Sequence, residues 1–210
     1  MNRFARLVAL ASMLTMIVVP SAGFAAAGLS SGVNADDLVA AAAYCERTGG
    51  KVEIRRPEYG TNNPSPLVLS GHHDFCRYTM GHGSSESRIY VFLDTLYTVQ
   101  PTLAALAYYA QVQPGTCSGN PASCYCTLLG GTDLFGGINA AGGAWVRKGG
   151  PDPDLDTCIF PDLSSIDSFG LFYHSAGIIR GIDLSKVLRY PNPNANSHRN
   201  TTAPWSKPAT

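Results

Sequence analysis

The sequence predicts an α+β protein made of two small repeats, each stapled by a disulfide bond and each built as helix, short antiparallel strands, helix. The pattern Tyr-Cys-x-x-x-Gly-Gly occurs at residues 44–50 and again at residues 125–131. In each copy a further cysteine follows 31 or 32 residues later. The chain has 22 glycines and 14 prolines among 210 residues, and 14% of its residues are charged, which is typical of a turn-rich domain rather than a helical bundle.

Residues 1–27 have the pattern of a signal peptide. Arg3 and Arg6 precede an apolar run at 7–19, and Pro20 and several small residues follow it. This run of about 13 residues is shorter than the roughly 20 that span a bilayer, so a membrane anchor is disfavoured. We expect an exported chain, secreted or periplasmic, without stable membrane insertion after cleavage.

Charge and cysteine content support the same location. Loss of Arg3 and Arg6 reduces the 15 basic residues to 13 against 15 acidic ones, a net charge of −2. The basic residues are scattered and form no stripe, so we expect no nucleic-acid partner. An even number of cysteines in an exported chain indicates disulfide bonds. The six cysteines are Cys45, Cys76, Cys117, Cys124, Cys126 and Cys158.

The first repeat spans residues 28–100 and opens on an alanine-rich helix with acidic residues in its first turn. Gly49 is suited to a left-handed C-terminal cap. Strands are predicted at 51–55, at 67–69 and around the second cysteine. A second helix is predicted to close the repeat within 87–97.

A linker at 101–116 contains a short predicted helix, whose Leu103, Leu106 and Tyr109 or Ala110 could pack on both repeats. The second repeat spans 117–189. Its first helix has Asn120 as N-cap and Pro121 at the first helical position. Strands are predicted at 132–135, at 144–147 and around the last cysteine.

The closing helix of the second repeat is predicted from a capping box formed by Ser164 and Asp167. Ile166, Phe169 and Tyr173 give it an apolar face. Residues 190–210 are rich in proline and asparagine, so we expect a disordered tail.

The cysteine pairing follows from the repeat. Equivalent positions should have equivalent partners, which pairs Cys45 with Cys76 and Cys126 with Cys158 and leaves Cys117 for Cys124. Each long loop closed in this way contributes about 3 kcal/mol to stability. A metal or redox site at Cys117, Cys124 and Cys126 is disfavoured, because Cys-x-Cys lacks the Cys-x-x-Cys spacing of such sites.

Candidate metal ligands are His72, His73, Asp74 and His82. Adjacent side chains on a strand diverge, and the second repeat has no equivalent histidines, so polar loop residues are the favoured interpretation.

Residues 152–156 alternate aspartate with other residues as calcium loops do. Intervening prolines and the missing glutamate favour an ordinary acidic turn.

The segment Asn-Pro-Ala-Ser-x-Tyr-Cys-x-x-x-Gly-Gly at 120–131, together with Cys-Ile-Phe-Pro-Asp at 158–162, resembles a family of small exported bacterial domains of unknown function that is often labelled haemolysin. The resemblance covers about residues 120–181, with a weaker echo at 38–97. The chain departs from the family in lacking the tryptophan of the closing helix and a final cysteine. The resemblance implies the fold and the export route, and it brings no catalytic residue.

We therefore expect an exported, non-catalytic binding or structural protein without a cofactor. Its partner would be an envelope component or a secreted protein, and an inhibitor-like role belongs to this class. One alternative is a metal-binding protein or metal-dependent enzyme that uses His72 and His82. Another is a membrane-active protein, which follows from the haemolysin label alone.

Overall fold

The computed structural model describes residues 35–133 and 140–195. Within these ranges the chain forms α-helices and an antiparallel sheet, as the α+β prediction requires. The predicted signal peptide and residues 196–210 of the predicted tail lie outside the described residues.

Five α-helices occur in the described ranges. They are α1 (Ala35–Arg47), α2 (Leu93–Tyr97), α3 (Leu103–Ala110), α4 (Pro121–Leu128) and α5 (Ser168–Ser175). The predicted N-cap of α4 is confirmed, because the Asn120 side chain accepts hydrogen bonds from the backbone N–H groups of Ala122 and Ser123.

Eight strands occur in the described ranges and form one sheet. They are β1 (Lys51–Tyr59), β2 (Leu67–Val68), β3 (His73–Met80), β4 (Ser87–Phe92), β5 (Gly143–Val146), β6 (Asp154–Leu155), β7 (Thr157–Ile159) and β8 (Ser165–Asp167). The strand order is β6-β5-β1-β3-β4-β8-β7, with β2 beside β1. Asp156 alone separates β6 from β7 in the sequence, although they stand at opposite ends of this order. The sheet therefore curls into a nearly closed barrel.

The prediction of two separate repeats is wrong, because strands from both halves of the chain share this sheet. β4 pairs with β8, with Val91 opposite Ile166, and β1 pairs with β5 over Arg56–Tyr59. In a half that folded alone, β4 or β8 would expose an unpaired edge. Pairing across the halves satisfies these backbone groups and places residues of both halves in the same core clusters.

The two faces of the sheet carry different cores. The convex face packs against the helices and holds a large cluster that includes Cys76, Val91 and Ile166. The concave face holds a smaller, mostly aromatic cluster. Its buried members are Phe75, Tyr90, Phe92, Trp145 and Leu155.

The predicted linker helix exists as α3, but it contributes to the core rather than separating two domains. Ala104, Ala105 and Tyr108 are its buried residues. Of the predicted packing residues, Tyr109 packs half-buried against the core, whereas Leu103 and Ala110 are exposed. The Tyr108 ring stacks on His174 of α5, with ring centroids 3.7 Å apart.

The closing elements begin differently from the prediction. Residues 165–167 are strand, and α5 starts at Ser168 with Asp167 as its N-cap. Ser164 instead donates a hydrogen bond to Asp162 at 2.6 Å, so no capping box forms. Residues 87–92 are likewise strand, because their side chains alternate between the two cores.

The disulfide bonds join the pairs that the spacing favours. Cys45–Cys76 ties α1 to β3, and Cys126–Cys158 ties α4 to β7. Cys117–Cys124 ties the loop before α4 to that helix. Three disulfide bonds indicate that the chain folds in an oxidising compartment.

The repeated Tyr-Cys-x-x-x-Gly-Gly motif has a structural explanation. The first glycine ends the helix in the left-handed region, with φ of 89° at Gly49 and 85° at Gly130. The second glycine, Gly50 or Gly131, lies against the disulfide, so a Cβ there would overlap the sulfur of Cys76 or Cys158. The motif ends a helix and leaves space for a buried disulfide.

Gly131→Ala is therefore expected to lower the free energy of unfolding by about 1–3 kcal/mol, because the added methyl displaces a buried disulfide. Urea unfolding under non-reducing conditions measures the effect. Gly115→Ala is the matched control, because nothing lies within 4 Å of a Cβ at that glycine. Equal unfolding midpoints for the two variants would contradict this explanation of the motif.

Candidate functional site

A buried ion pair on β1 positions the turn that lines the candidate site. Glu53 and Arg55 lie two residues apart on β1, so both side chains project from the same face, and both are 0% exposed. Arg55 Nη2 donates to Glu53 Oε2 at 3.0 Å. The guanidinium of Arg55 also lies over the ring of Tyr90, 4.7 Å from its centroid.

Arg55 also fixes the turn before β6. Its guanidinium donates to the backbone carbonyls of Trp145, Pro151 and Asp152, at 3.0, 3.3 and 2.8 Å. These bonds hold Asp152 in the left-handed region, with φ of 49°. Both terminal nitrogens of this buried arginine thereby have acceptors, and their bonds determine where this acidic turn lies.

The carboxylate of Asp152 is held in its turn. Asp152 Oδ2 accepts hydrogen bonds from Tyr90 at 2.9 Å and from Arg88 Nη1 at 3.1 Å. Arg88 also pairs with Glu86. The acidic turn that the sequence predicts is thus attached to both β1 and β4.

A cavity of about 330 Å³ lies beside the seam, the place where Asp156 joins β6 to β7. Among the described residues, four aspartates and one arginine line it, together with Tyr90, Leu155, Phe169 and Tyr173. These charged residues are Asp152, Asp154, Asp156, Asp167 and Arg180. We call this feature the acidic cavity.

Two carboxyl groups of the acidic cavity have strongly raised pKa values. Burial raises the pKa of Asp156 to about 7, and the neighbouring charges of Asp133, Asp167 and Asp154 add to the effect. Burial also raises the pKa of Asp167 to about 6, although the backbone N–H of Gly170 and the charge of Arg180 oppose this rise. Both groups therefore exchange protons close to neutral pH.

Aromatic rings form the apolar part of the wall. Phe169 and Tyr173 are stacked on one face of α5, with centroids 6.4 Å apart. The guanidinium of Arg180 lies 5.3 Å from the centroid of the Tyr173 ring. A cation is thus already held against this wall by ring contact and by the charge of Asp167.

The arrangement can accept a positively charged or hydrogen-bond-donating group. The carboxylates supply acceptors, and the rings supply faces that attract cations. Groups with pKa values of about 6 and about 7 can also exchange a proton with a bound molecule near neutrality.

The predicted metal ligands lie elsewhere. His73 stacks on Phe92, with centroids 4.1 Å apart, and burial lowers its pKa. His72 and His82 are exposed, and Asp74 is half-buried. Within 35–133 and 140–195, no group of three His, Cys, Asp or Glu side chains could hold a metal ion.

Several residues of the site escape prediction from the sequence. Glu53 and Arg55 stand in an alternating strand pattern that is equally typical of a solvent-exposed face. Tyr90 lies within a segment predicted to belong to a closing helix. The one available signal is the run of aspartates at 152–156, since repeated acidic residues between prolines indicate a defined turn.

Comparison of the chain with family models, with curated proteins and with solved structures returned no match. The resemblance to the haemolysin-labelled domains therefore stays a prediction. In the described part of the chain, no helix combines the length and the hydropathy needed to cross a membrane.

The raised pKa values predict a pH-dependent stability. Folded Asp156 and Asp167 bind protons more tightly than the unfolded groups, whose pKa is 3.8. Their contribution to the free energy of unfolding is therefore full below about pH 3.8 and falls as the pH rises above that value. It is fully lost once the pH has passed about 6 for Asp167 and about 7 for Asp156. Asp156→Asn should flatten this loss and should be more stable than the wild type at about pH 8.

Urea unfolding at pH values across this window checks the expectation, and carboxyl carbon NMR reads the titration directly. Glu46→Gln, which changes an exposed carboxylate of α1, is the control and should leave the slope unchanged. A slope that Asp156→Asn does not alter would contradict the assignment of the raised pKa to this group.

Proposed function

We propose that this chain is an exported, non-catalytic recognition protein whose acidic cavity receives a basic side chain of an envelope or secreted protein. The observation that carries the proposal is a cavity of about 330 Å³ with four aspartates and three aromatic rings in its wall. The secreted or periplasmic location rests on the three disulfide bonds and on the signal-peptide pattern.

Charge favours a cationic ligand. The four lining carboxyl groups face one lining guanidinium, Arg180. Asp152 is already neutralised in part by Arg88, but Asp154, Asp156 and Asp167 have no ion pair of salt-bridge length within the described chain. A ligand cation would lower the pKa of Asp156 and gain a charge-assisted hydrogen bond.

Size and wall chemistry favour an organic cation. A volume of about 330 Å³ is at the lower end of the range for small-molecule pockets and suits a single long side chain. Tyr90, Phe169 and Tyr173 provide surfaces on which the methylene groups of lysine or arginine can pack. The same rings attract the charged end of such a side chain.

A bound metal ion is less well supported at this site. Metal ions need several carboxylates or imidazoles converging on one point, and no such group of three occurs in the described ranges. The aromatic wall also offers no ligand atoms to a hard cation. These contrasts favour a guanidinium or ammonium group as the occupant.

A pair of matched peptides tests the proposal. A short peptide containing one arginine should bind the protein, whereas the same peptide with citrulline should bind at least about tenfold more weakly, because citrulline is uncharged. The double variant Asp154→Asn, Asp156→Asn should lose the difference. Calorimetric titration at about pH 8, where the Asp156 carboxyl is ionised, measures all three affinities.

Glu46→Gln is again the control and should bind the arginine peptide as the wild type does. Equal affinity of the wild type for the arginine and citrulline peptides, or binding of neither, would refute the proposed function.

A further inference from the structure

We infer that Arg77 and Arg147 form a second binding site, for an oxyanion such as a phosphate group, on the concave side of the sheet. This arginine pair is separate from the acidic cavity and has the opposite charge. It is positioned by the buried ion pair of β1.

The two arginines converge on one oxygen atom. Arg77 Nε lies 3.1 Å from Glu53 Oε1, and Arg147 Nη1 lies 2.5 Å from the same atom. Both guanidinium groups are therefore held beside each other by one buried carboxylate. Because the two side chains are already fixed, less of their conformational entropy is lost when a ligand binds.

The local charge is not balanced. Three guanidinium groups, those of Arg55, Arg77 and Arg147, share the single carboxylate of Glu53. The two terminal nitrogens of Arg55 also donate to backbone carbonyls. Among the described residues, Glu53 is the sole salt-bridge partner of Arg77 and Arg147, so two positive charges are left over.

Neighbouring charged groups increase the excess. Lys51 lies directly opposite Arg77 in the sheet register, and Lys148 follows Arg147. The carboxylates of Glu86 and Asp152 are both paired with Arg88, so neither compensates the arginine pair.

The arginine pair is partly exposed, whereas the ion pair that positions it is buried. The side chains of Arg77 and Arg147 are 14% and 35% exposed, whereas those of Glu53 and Arg55 are 0% exposed. Each guanidinium contacts Glu53 through one nitrogen, which leaves a planar edge of further N–H donors. Two such edges suit the several oxygens of a tetrahedral oxyanion, which arginine binds in a bidentate manner.

Calorimetric titration of the whole protein with inorganic phosphate at low ionic strength tests the inference. Saturable binding is expected, with sulfate competing for the same site. Arg147→Gln should weaken phosphate binding by about tenfold, because one charge-assisted contact is lost while Arg77 keeps Glu53 paired. Arg147→Lys, which keeps the charge and loses the planar fork, should recover part of the affinity.

Arg56→Gln is the matched control, since Arg56 is an exposed arginine on the same strand as Glu53, and it should bind phosphate as the wild type does. Sedimentation with phosphatidylglycerol and phosphatidylcholine vesicles distinguishes a lipid phosphate from a free ion. Binding to phosphatidylglycerol alone that depends on Arg147 assigns the site to a lipid headgroup. Binding of free phosphate alone assigns it to a soluble anion. Absence of saturable binding in both arms, or equal loss in Arg56→Gln and Arg147→Gln, would overturn the inference.

Discussion

The contact between Arg55 and Glu53 is the interaction on which the rest of this structure depends. Burying two charges costs several kcal/mol unless their hydrogen bonds are satisfied. Here the two terminal nitrogens of one arginine donate to one carboxylate and to three carbonyls from a distant part of the chain. The pair therefore joins β1 to the turn before β6. It also contacts residues of both the acidic cavity and the arginine pair.

The sequence is a good guide to local structure and a poor one to how its halves combine. Helices α1 and α4 follow from alanine content, from the Asn120 cap and from the paired glycines, all of which act within a few residues. The pairing of β4 with β8 depends on residues far apart in the chain, and no local pattern reveals it. The role of Asp167 also cannot be predicted from local sequence. It is the N-cap of α5 because the strand pairing of β8 ends at this residue.

The candidate site can be predicted only in part from the sequence. The aspartates at 152–156 stand out in the sequence, but their proximity to Tyr90, Asp167 and Arg180 depends on the curling of the sheet. The histidines at 72 and 73 have the chemistry of metal ligands, yet His73 is packed among aromatic rings. Conversely, the repeated cysteine motif, the clearest pattern in the chain, is explained by helix termination and disulfide packing and indicates no ligand.

The single residue between β6 and β7 also determines how this sheet can meet other molecules. Neighbouring strands in a sheet stand about 4.8 Å apart, and an inserted strand would need roughly twice that separation between its neighbours. One intervening residue spans at most about 7 Å from the end of one strand to the start of the next. The edges on either side of Asp156 therefore cannot part far enough there to admit a foreign strand, so this part of the molecule is protected from edge-to-edge aggregation.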